Sequence, residues 1–193
     1  MAQSGLLIIV SAPSGAGKMT LLQKVQESED NFATTISATT RAPRATEEDG
    51  REYYFVSREA FEAKIDEGAF LEWAEVHDNL YGTLHSELQQ CLETGKDVIL
   101  ELDVQGMRRV KADGLCGVSF FLMPPSLEEL ERRLRTRGAN DEDDLALRLR
   151  NAEAEMAARD EYDYVIVNDD LERAAAEMRT ALNEVRNNAA NSA

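Results

Sequence analysis

The segment Ala12-Pro13-Ser14-Gly15-Ala16-Gly17-Lys18 follows the apolar run Leu6-Leu7-Ile8-Ile9-Val10, and it constrains the fold more than any other feature of the chain. A buried strand that turns through glycines into a helix brings backbone N–H groups and the helix N-terminus to one point. There they cradle phosphate oxygens while a lysine reaches the terminal ones. Gly15 and Gly17 let the backbone approach such a ligand closely. The pattern departs twice from G-x-x-x-x-G-K-[ST]: Ala12 stands at the first glycine, and Met19 stands where a magnesium-binding hydroxyl is expected, with Thr20 one residue later. The segment points to an α/β chain that handles a nucleotide and leaves the reaction open.

A length of 193 residues with 43% hydrophobic content supports one globular unit with a sizeable core. The net charge of −16 opposes binding to nucleic acid, which relies on many Lys and Arg contacts to phosphates. A cleft for an anionic nucleotide must therefore concentrate positive charge that the rest of the surface lacks. No apolar stretch approaches the roughly 20 residues of a membrane span, and the first residues show no basic segment followed by a long apolar one. The expectation is a cytoplasmic protein with no membrane partner. Cys91 and Cys116 lack the spacing and neighbouring histidines of a metal site and read as packing residues; His77 and His85 receive no role.

Apolar runs predict buried strands at Val98–Leu102, Val118–Met123 and Tyr164–Val167. Helices are expected over Lys18–Glu27, Gln105–Ala112, Ser126–Thr136 and Leu171–Arg186, with Ser126 and Glu129 forming a capping box. Strands alternating with helices imply a parallel sheet covered on both faces. Two stretches interrupt this core of about 1–33, 96–132 and 151–193. Residues 34–95 offer short strand candidates at Thr34–Thr40, Tyr53–Val56 and Phe70–Val76, and read as an inserted lobe. Residues 133–150, dense in charge and nearly free of apolar residues from Gly138 to Asp144, read as a mobile lid. The small, polar tail after Arg186 is expected to fray.

Ordered motifs run through these stretches: Ser37-Ala38-Thr39-Thr40-Arg41-Ala42-Pro43-Arg44, Gly50-Arg51-Glu52-Tyr53-Tyr54-Phe55, Leu71-Glu72-Trp73-Ala74 and Leu80-Tyr81-Gly82-Thr83. They continue in Leu100-Glu101-Leu102-Asp103-Val104-Gln105-Gly106, Arg133-Leu134-Arg135-Thr136-Arg137-Gly138, Arg148 and Val165-Ile166-Val167-Asn168-Asp169-Asp170. With these motifs the chain resembles guanylate kinase over nearly its whole length. The resemblance implies a P-loop parallel β-sheet core flanked by helices, with an inserted mixed α/β GMP-binding lobe and a small helical lid, all one domain. It also implies reversible transfer of the ATP γ-phosphoryl group to GMP or dGMP, giving ADP and GDP.

Carried over position by position, the resemblance assigns Arg41, Arg44, Tyr53 and Tyr81 to the GMP phosphate. Two guanidinium forks and two phenol hydroxyls suit a phosphate dianion. It places Ser37, Glu72, Thr83 and Asp103 around guanine, whose N1 and N2 donors suit carboxylates and whose O6 suits a hydroxyl. Adenine would leave a carboxylate unpaired. On the ATP side it implies binding by Ala12, Pro13, Ser14, Gly15, Ala16, Gly17, Lys18, Met19 and Thr20, with Asn168 at the adenine. Lys18, Arg133, Arg137 and Arg148 are the implied catalytic residues, the arginines arriving with lid closure.

The expected cofactor is Mg2+, with ATP as co-substrate. Two departures bear on it: Met19 has no hydroxyl, and Glu101 stands where the family usually has aspartate, so Thr20 and Glu101, in part through water, are the metal candidates. Related kinases with glycine at the Met19 position suggest that the change is tolerable. Two alternatives stand beside the enzyme: a nonenzymatic phosphopeptide-binding module of the same fold, and a related kinase for a phosphorylated sugar. Lys18 and the lid arginines weigh against the first, and the set Glu72, Thr83 and Asp103 against the second. The oligomeric state is left open.

Overall fold

The computed structural model describes residues 5–27, 31–76, 78–115, 117–136 and 142–191. In chain order the elements are β1 (Leu7–Ser11), α1 (Lys18–Gln26), β2 (Phe32–Ala33), β3 (Ala38–Thr39), β4 (Tyr54–Phe55), α2 (Arg58–Asp66), β5 (Phe70–Val76), β6 (Asn79–Leu84) and α3 (His85–Glu93). They continue with β7 (Asp97–Glu101), α4 (Val104–Ala112), β8 (Val118–Met123), α5 (Leu127–Thr136), α6 (Glu142–Ala157), a 3-10 turn at Arg159–Glu161, β9 (Tyr164–Val167) and α7 (Leu171–Asn191).

The first sheet has the order β2-β7-β1-β8-β9, and every pairing in it is parallel. β1 is apolar throughout because both faces are covered. Leu7 and Ile9 point into one cluster with Leu100, Phe121 and the buried sides of α4, α5 and α6, while Ile8 and Val10 point into another with α1 and α7. Parallel pairing puts all the carboxyl ends on one edge, where ligands of open α/β sheets bind. Residues 12–17, 101–103 and 168 meet there for that reason.

The second sheet, β4-β3-β6-β5, is mixed. β5 and β6 form a hairpin in which Val76 pairs with Asn79 and Asp78 takes φ +61. A left-handed residue at such a turn matches the twist of the flanking strands. Phe61 of α2 stacks on Phe70 at 4.2 Å and closes a small core with Ala38 and Leu80. The two sheets are joined by packing: Leu71 of β5 is buried in the same cluster as Val104 and Met107 of α4.

Several expectations need correction. Of the candidate strand Thr34–Thr40 only Ala38–Thr39 forms regular strand, with Ser37 O and Thr40 N–H still bonded to its neighbours, because the segment before it connects β2 of the first sheet to β3 of the second. The capping box at α5 is half formed: Ser126 Oγ accepts the Glu129 N–H at 3.2 Å, but the Glu129 carboxylate is drawn away by Arg132 and Arg133 at 2.7 and 2.8 Å. The lid stretch is helical where it is described, as the resemblance implies: it holds the end of α5 and the start of α6. Acidic residues Glu142, Asp143 and Asp144 suit the N-terminus of α6, and Leu145, Ala152 and Met156 bury one face. Arg137 and the segment Gly138 to Asp141 lie outside the described residues, as do His77 and Cys116. Cys91 packs half-buried against the core, with its thiol pushed up by burial, and His85 sits in the first turn of α3.

The last helix does not end at Arg186, since α7 continues to Asn191. Arg186 donates to Asp97 Oδ2 at 2.7 Å, and Asp97 Oδ1 accepts the Leu6 N–H at 2.9 Å. The Asp97 side chain is only 5% exposed, so this pair ties the last turns of α7 to the base of β7 and β1. Asp97→Ala removes the buried carboxylate from both the Arg186 guanidinium and the Leu6 amide and is expected to cost about 3 kcal/mol of unfolding free energy. Urea unfolding measures it, and a loss below about 0.5 kcal/mol would mean that the pair carries no more than a surface contact does.

Candidate active site

The loop after β1 is shaped by two glycines in the left-handed region, Gly15 at φ +93 and Gly17 at φ +92, and closed by a hydrogen bond from Ala16 N–H to Pro13 O at 3.1 Å. Gly17 is the N-cap of α1. A Cβ there would lie 2.5 Å from Asn168 Nδ2, so the position requires glycine for space as well as for φ. Lys18 leaves the first turn toward β7, its Nζ 3.4 Å from Glu101 Oε2. The register that pairs Val10 with Glu101 sets this contact.

On the other flank of the loop lies a cleft of about 400 Å³ lined by Gly15, Gly17, Thr20, Arg133, Asn168 and Leu171. Asn168, at the end of β9 and buried, donates from Nδ2 to Ala16 O at 2.8 Å. Arg133 on α5 reaches the same carbonyl at 3.3 Å and Asn168 O at 3.3 Å, while its Nε donates to Glu129 at 2.8 Å. The guanidinium groups of Arg132 and Arg133 hold the Glu129 carboxyl at about 2, well below the usual carboxylate range. Arg133 thus already stands at the loop without further lid movement. Arg148 does not: it is exposed on α6 and donates to Asp144, one turn earlier, at 2.8 Å.

The residues expected at the metal are not brought together. Thr20 lines the cleft on the β9 side, Glu101 lies beside Lys18 on the β7 side, and Met19, 66% exposed, offers no oxygen. Among the described residues no group of three or more His, Cys, Asp or Glu side chains could hold a metal ion.

The second sheet gathers the other expected set. Glu72 and Thr83 face each other across β5 and β6, and Glu72 Oε1 accepts the Thr83 N–H at 3.1 Å. Thr83 Oγ1 lies 3.3 Å from Ser37 Oγ. These three polar groups form one patch, and Glu72 keeps its second oxygen without a partner among the described residues. Asp103 comes from the first sheet: it caps α4, accepting the Gly106 N–H at 2.7 Å, and α4 packs on β5. Glu155 of α6 stands near it, its carboxyl pushed up by burial and by the charge of Asp103.

Beside the patch, Tyr53 and Tyr81 meet edge to face at 5.9 Å, and Arg41 lies 5.6 Å from the Tyr53 ring centre. Arg44 is exposed, and its guanidinium makes no hydrogen bond or ion pair among the described residues, though its charge acts on Glu47. Two acids that hold this region together escaped the sequence reading. Glu87 accepts from Ile36 N–H and Tyr54 Oη, both at 3.1 Å, and so positions the segment that carries Ser37 into β3. Glu47 accepts from Arg41 and from the Arg44 amide. The signal for Glu47 was its place three residues after Arg44, where a carboxylate can cap a turn.

The family model for guanylate kinase matches residues 4–185. The guanylate kinase of Rubrobacter xylanophilus is 51% identical over 174 residues, covering 90% of this chain and 91% of that one. The guanylate kinase of Caldanaerobacter subterraneus is 45% identical over 180 residues, covering 93% and 87%. The crystal structure of guanylate kinase from Anaplasma phagocytophilum superposes with a TM-score of 0.67 at 34% identity, covering 94% of this chain and 86% of that one.

Proposed function

The chain belongs to the guanylate kinase family, and from that premise we propose how its residues share the transfer of the ATP γ-phosphoryl group to GMP. It is an ATP:GMP phosphotransferase with ATP and GMP as its small-molecule substrates, forming ADP and GDP. The phosphopeptide-binding alternative is not favoured: such a module has no use for a phosphate loop, and here Lys18 and both loop glycines are in place.

The observation that supports the reading is the joint between the two sheets. The glycine loop with Lys18 ends one sheet, and α4, which carries Asp103, is packed on the strand that carries Glu72. The loop amides and Lys18 hold the β- and γ-phosphates of ATP, with Thr20, Asn168 and Arg133 along the nucleotide on the β9 side. Ser37, Glu72, Thr83 and Asp103 read guanine, while Arg41, Arg44, Tyr53 and Tyr81 orient its phosphate.

No general base is required, because the attacking phosphate oxygen of GMP is already an anion near neutral pH. The barrier falls through in-line positioning and through positive charge placed where negative charge spreads in the transition state. Arg148 and Arg137 join from the lid, whose closure also excludes water. Mg2+ would arrive as an ion carried by ATP, since Met19 has no oxygen to hold it and Glu101, the carboxylate beside the loop lysine, already faces Lys18 Nζ. When bound, Mg2+ supplies charge neutralisation on the β- and γ-phosphates. We place the activity in the cytoplasm, where both nucleotides are at hand.

Coupled measurement of ADP release with GMP, AMP, UMP and a ribose bisphosphate tests the assignment. GMP is expected to exceed AMP in kcat/KM by about 10⁴-fold, as for sites that hydrogen-bond a polar edge. Preference for the sugar phosphate would contradict it.

A further inference from the structure

We propose that Glu47 is a positioning residue for the phosphate of GMP: it presets Arg41 and the turn that carries Arg44, and leaves the Arg44 guanidinium exposed and not hydrogen-bonded to it, so that it can capture the incoming dianion. The inference rests on the phosphate-site reading above and adds to it a division of labour between the two arginines.

Both Glu47 oxygens are committed to one short segment. Oε1 accepts from Arg41 Nη2 at 2.9 Å, and Oε2 accepts from the Arg44 backbone N–H at 2.7 Å. The two side chains are 20% and 12% exposed, so the pair is shielded more than ordinary surface ion pairs, which contribute little. The Arg41 guanidinium, and after it the Arg44 amide, hold the Glu47 carboxyl below the usual carboxylate range. Arg41 is fixed further by Ala42 O at 2.8 Å, and its guanidinium lies 5.6 and 5.8 Å from the ring centres of Tyr53 and Phe55. The Arg44 side chain makes no such hydrogen bond or ring contact among the described residues and meets Glu47 only through its charge.

A guanidinium carries five donors in a rigid fork, so one edge can stay on a carboxylate while the rest faces a phosphate. Holding Arg41 beforehand removes an ordering cost that GMP would otherwise meet on binding. Glu47 is also an anion near a phosphate, and that repulsion acts the other way. The two effects predict opposite signs on removing the charge. The second bond of Glu47, to the Arg44 amide, decides for positioning, because a bare competitor of the phosphate would have no need to hold the turn.

The test is Glu47→Ala and Glu47→Gln, with KM for GMP and ATP, kcat, and the affinity for guanosine, which lacks the phosphate. Glu47→Ala is expected to raise KM for GMP about 10-fold, and Glu47→Gln less, since an amide oxygen can still accept one of the two bonds. kcat, KM for ATP and guanosine affinity should stay within about twofold. An unchanged or lower KM for GMP overturns the proposal. So does a parallel loss of kcat, ATP affinity and guanosine affinity, which would mark a general structural role. Arg44→Ala separates the layers: if it too leaves GMP binding unchanged, the phosphate-site reading fails, and if it weakens GMP while Glu47→Ala does not, only the role of Glu47 fails.

Discussion

Replacing Lys18 by alanine is expected to lower kcat by at least about 10³-fold while leaving GMP binding nearly intact. The lysine is the one side chain of the loop that carries full positive charge to the phosphates, and its Nζ rests 3.4 Å from Glu101 rather than in bulk solvent. That contact aims the ammonium along the β7 side of the loop before any nucleotide arrives. Alanine leaves the backbone cradle and its glycines in place, so ATP can still dock, but charge developing on the transferring group loses its nearest partner. Single-turnover rates at saturating ATP measure the effect directly. Near-normal turnover would mean that the loop does not serve the reaction.

The second large effect is expected on choice of base. Glu72→Gln keeps an oxygen that can accept the Thr83 N–H, now accepted at 3.1 Å, so the hairpin should hold. The other atom of the carboxyl becomes an amide donor facing the N1 and N2 donors of guanine. A donor facing a donor in a buried site is costly, and kcat/KM for GMP should fall about 10²-fold. AMP offers no N1 donor and loses little, so the preference for GMP over AMP narrows by a similar factor. A ratio within about threefold of the native value would show that Glu72 does not read the base.

Much of the core was legible because its physics is local. Leu7 to Val10 alternate between two buried faces, and the glycines that follow leave few options other than a strand, a tight loop and a helix. That Glu72 and Thr83 share one site was implied by the resemblance alone, and their cross-strand pairing was not read at all, since registers do not show in a single chain. Other features depended on partners far along the sequence. Glu142, Asp143 and Asp144 read as part of a solvated flap until the buried side of α6, with Leu145, Ala152 and Met156, turned them into the first turn of a helix. The end of α7 read as a fraying tail because its anchor, Asp97, lies 89 positions away from Arg186. Glu129 read as the second half of a capping box, and its carboxylate was claimed instead by Arg132 and Arg133.

Thr20 and Glu101 show the limit of reasoning from a motif. One residue of offset on a helix turns a side chain by roughly 100°, so Thr20 cannot stand in for a hydroxyl at Met19. It faces the cleft with Asn168, while Lys18 and Glu101 face the other way.

The central claim is that phosphate leaves ATP for GMP and for nothing else in the site. A quenched time course of ATP with GMP, resolved into all four nucleotides, tests it most directly. GDP and ADP are expected to appear in equal amounts as GMP and ATP disappear, with no ADP formed when GMP is left out. ADP formed without GDP, or no turnover alongside tight binding of a phosphopeptide, would contradict the account.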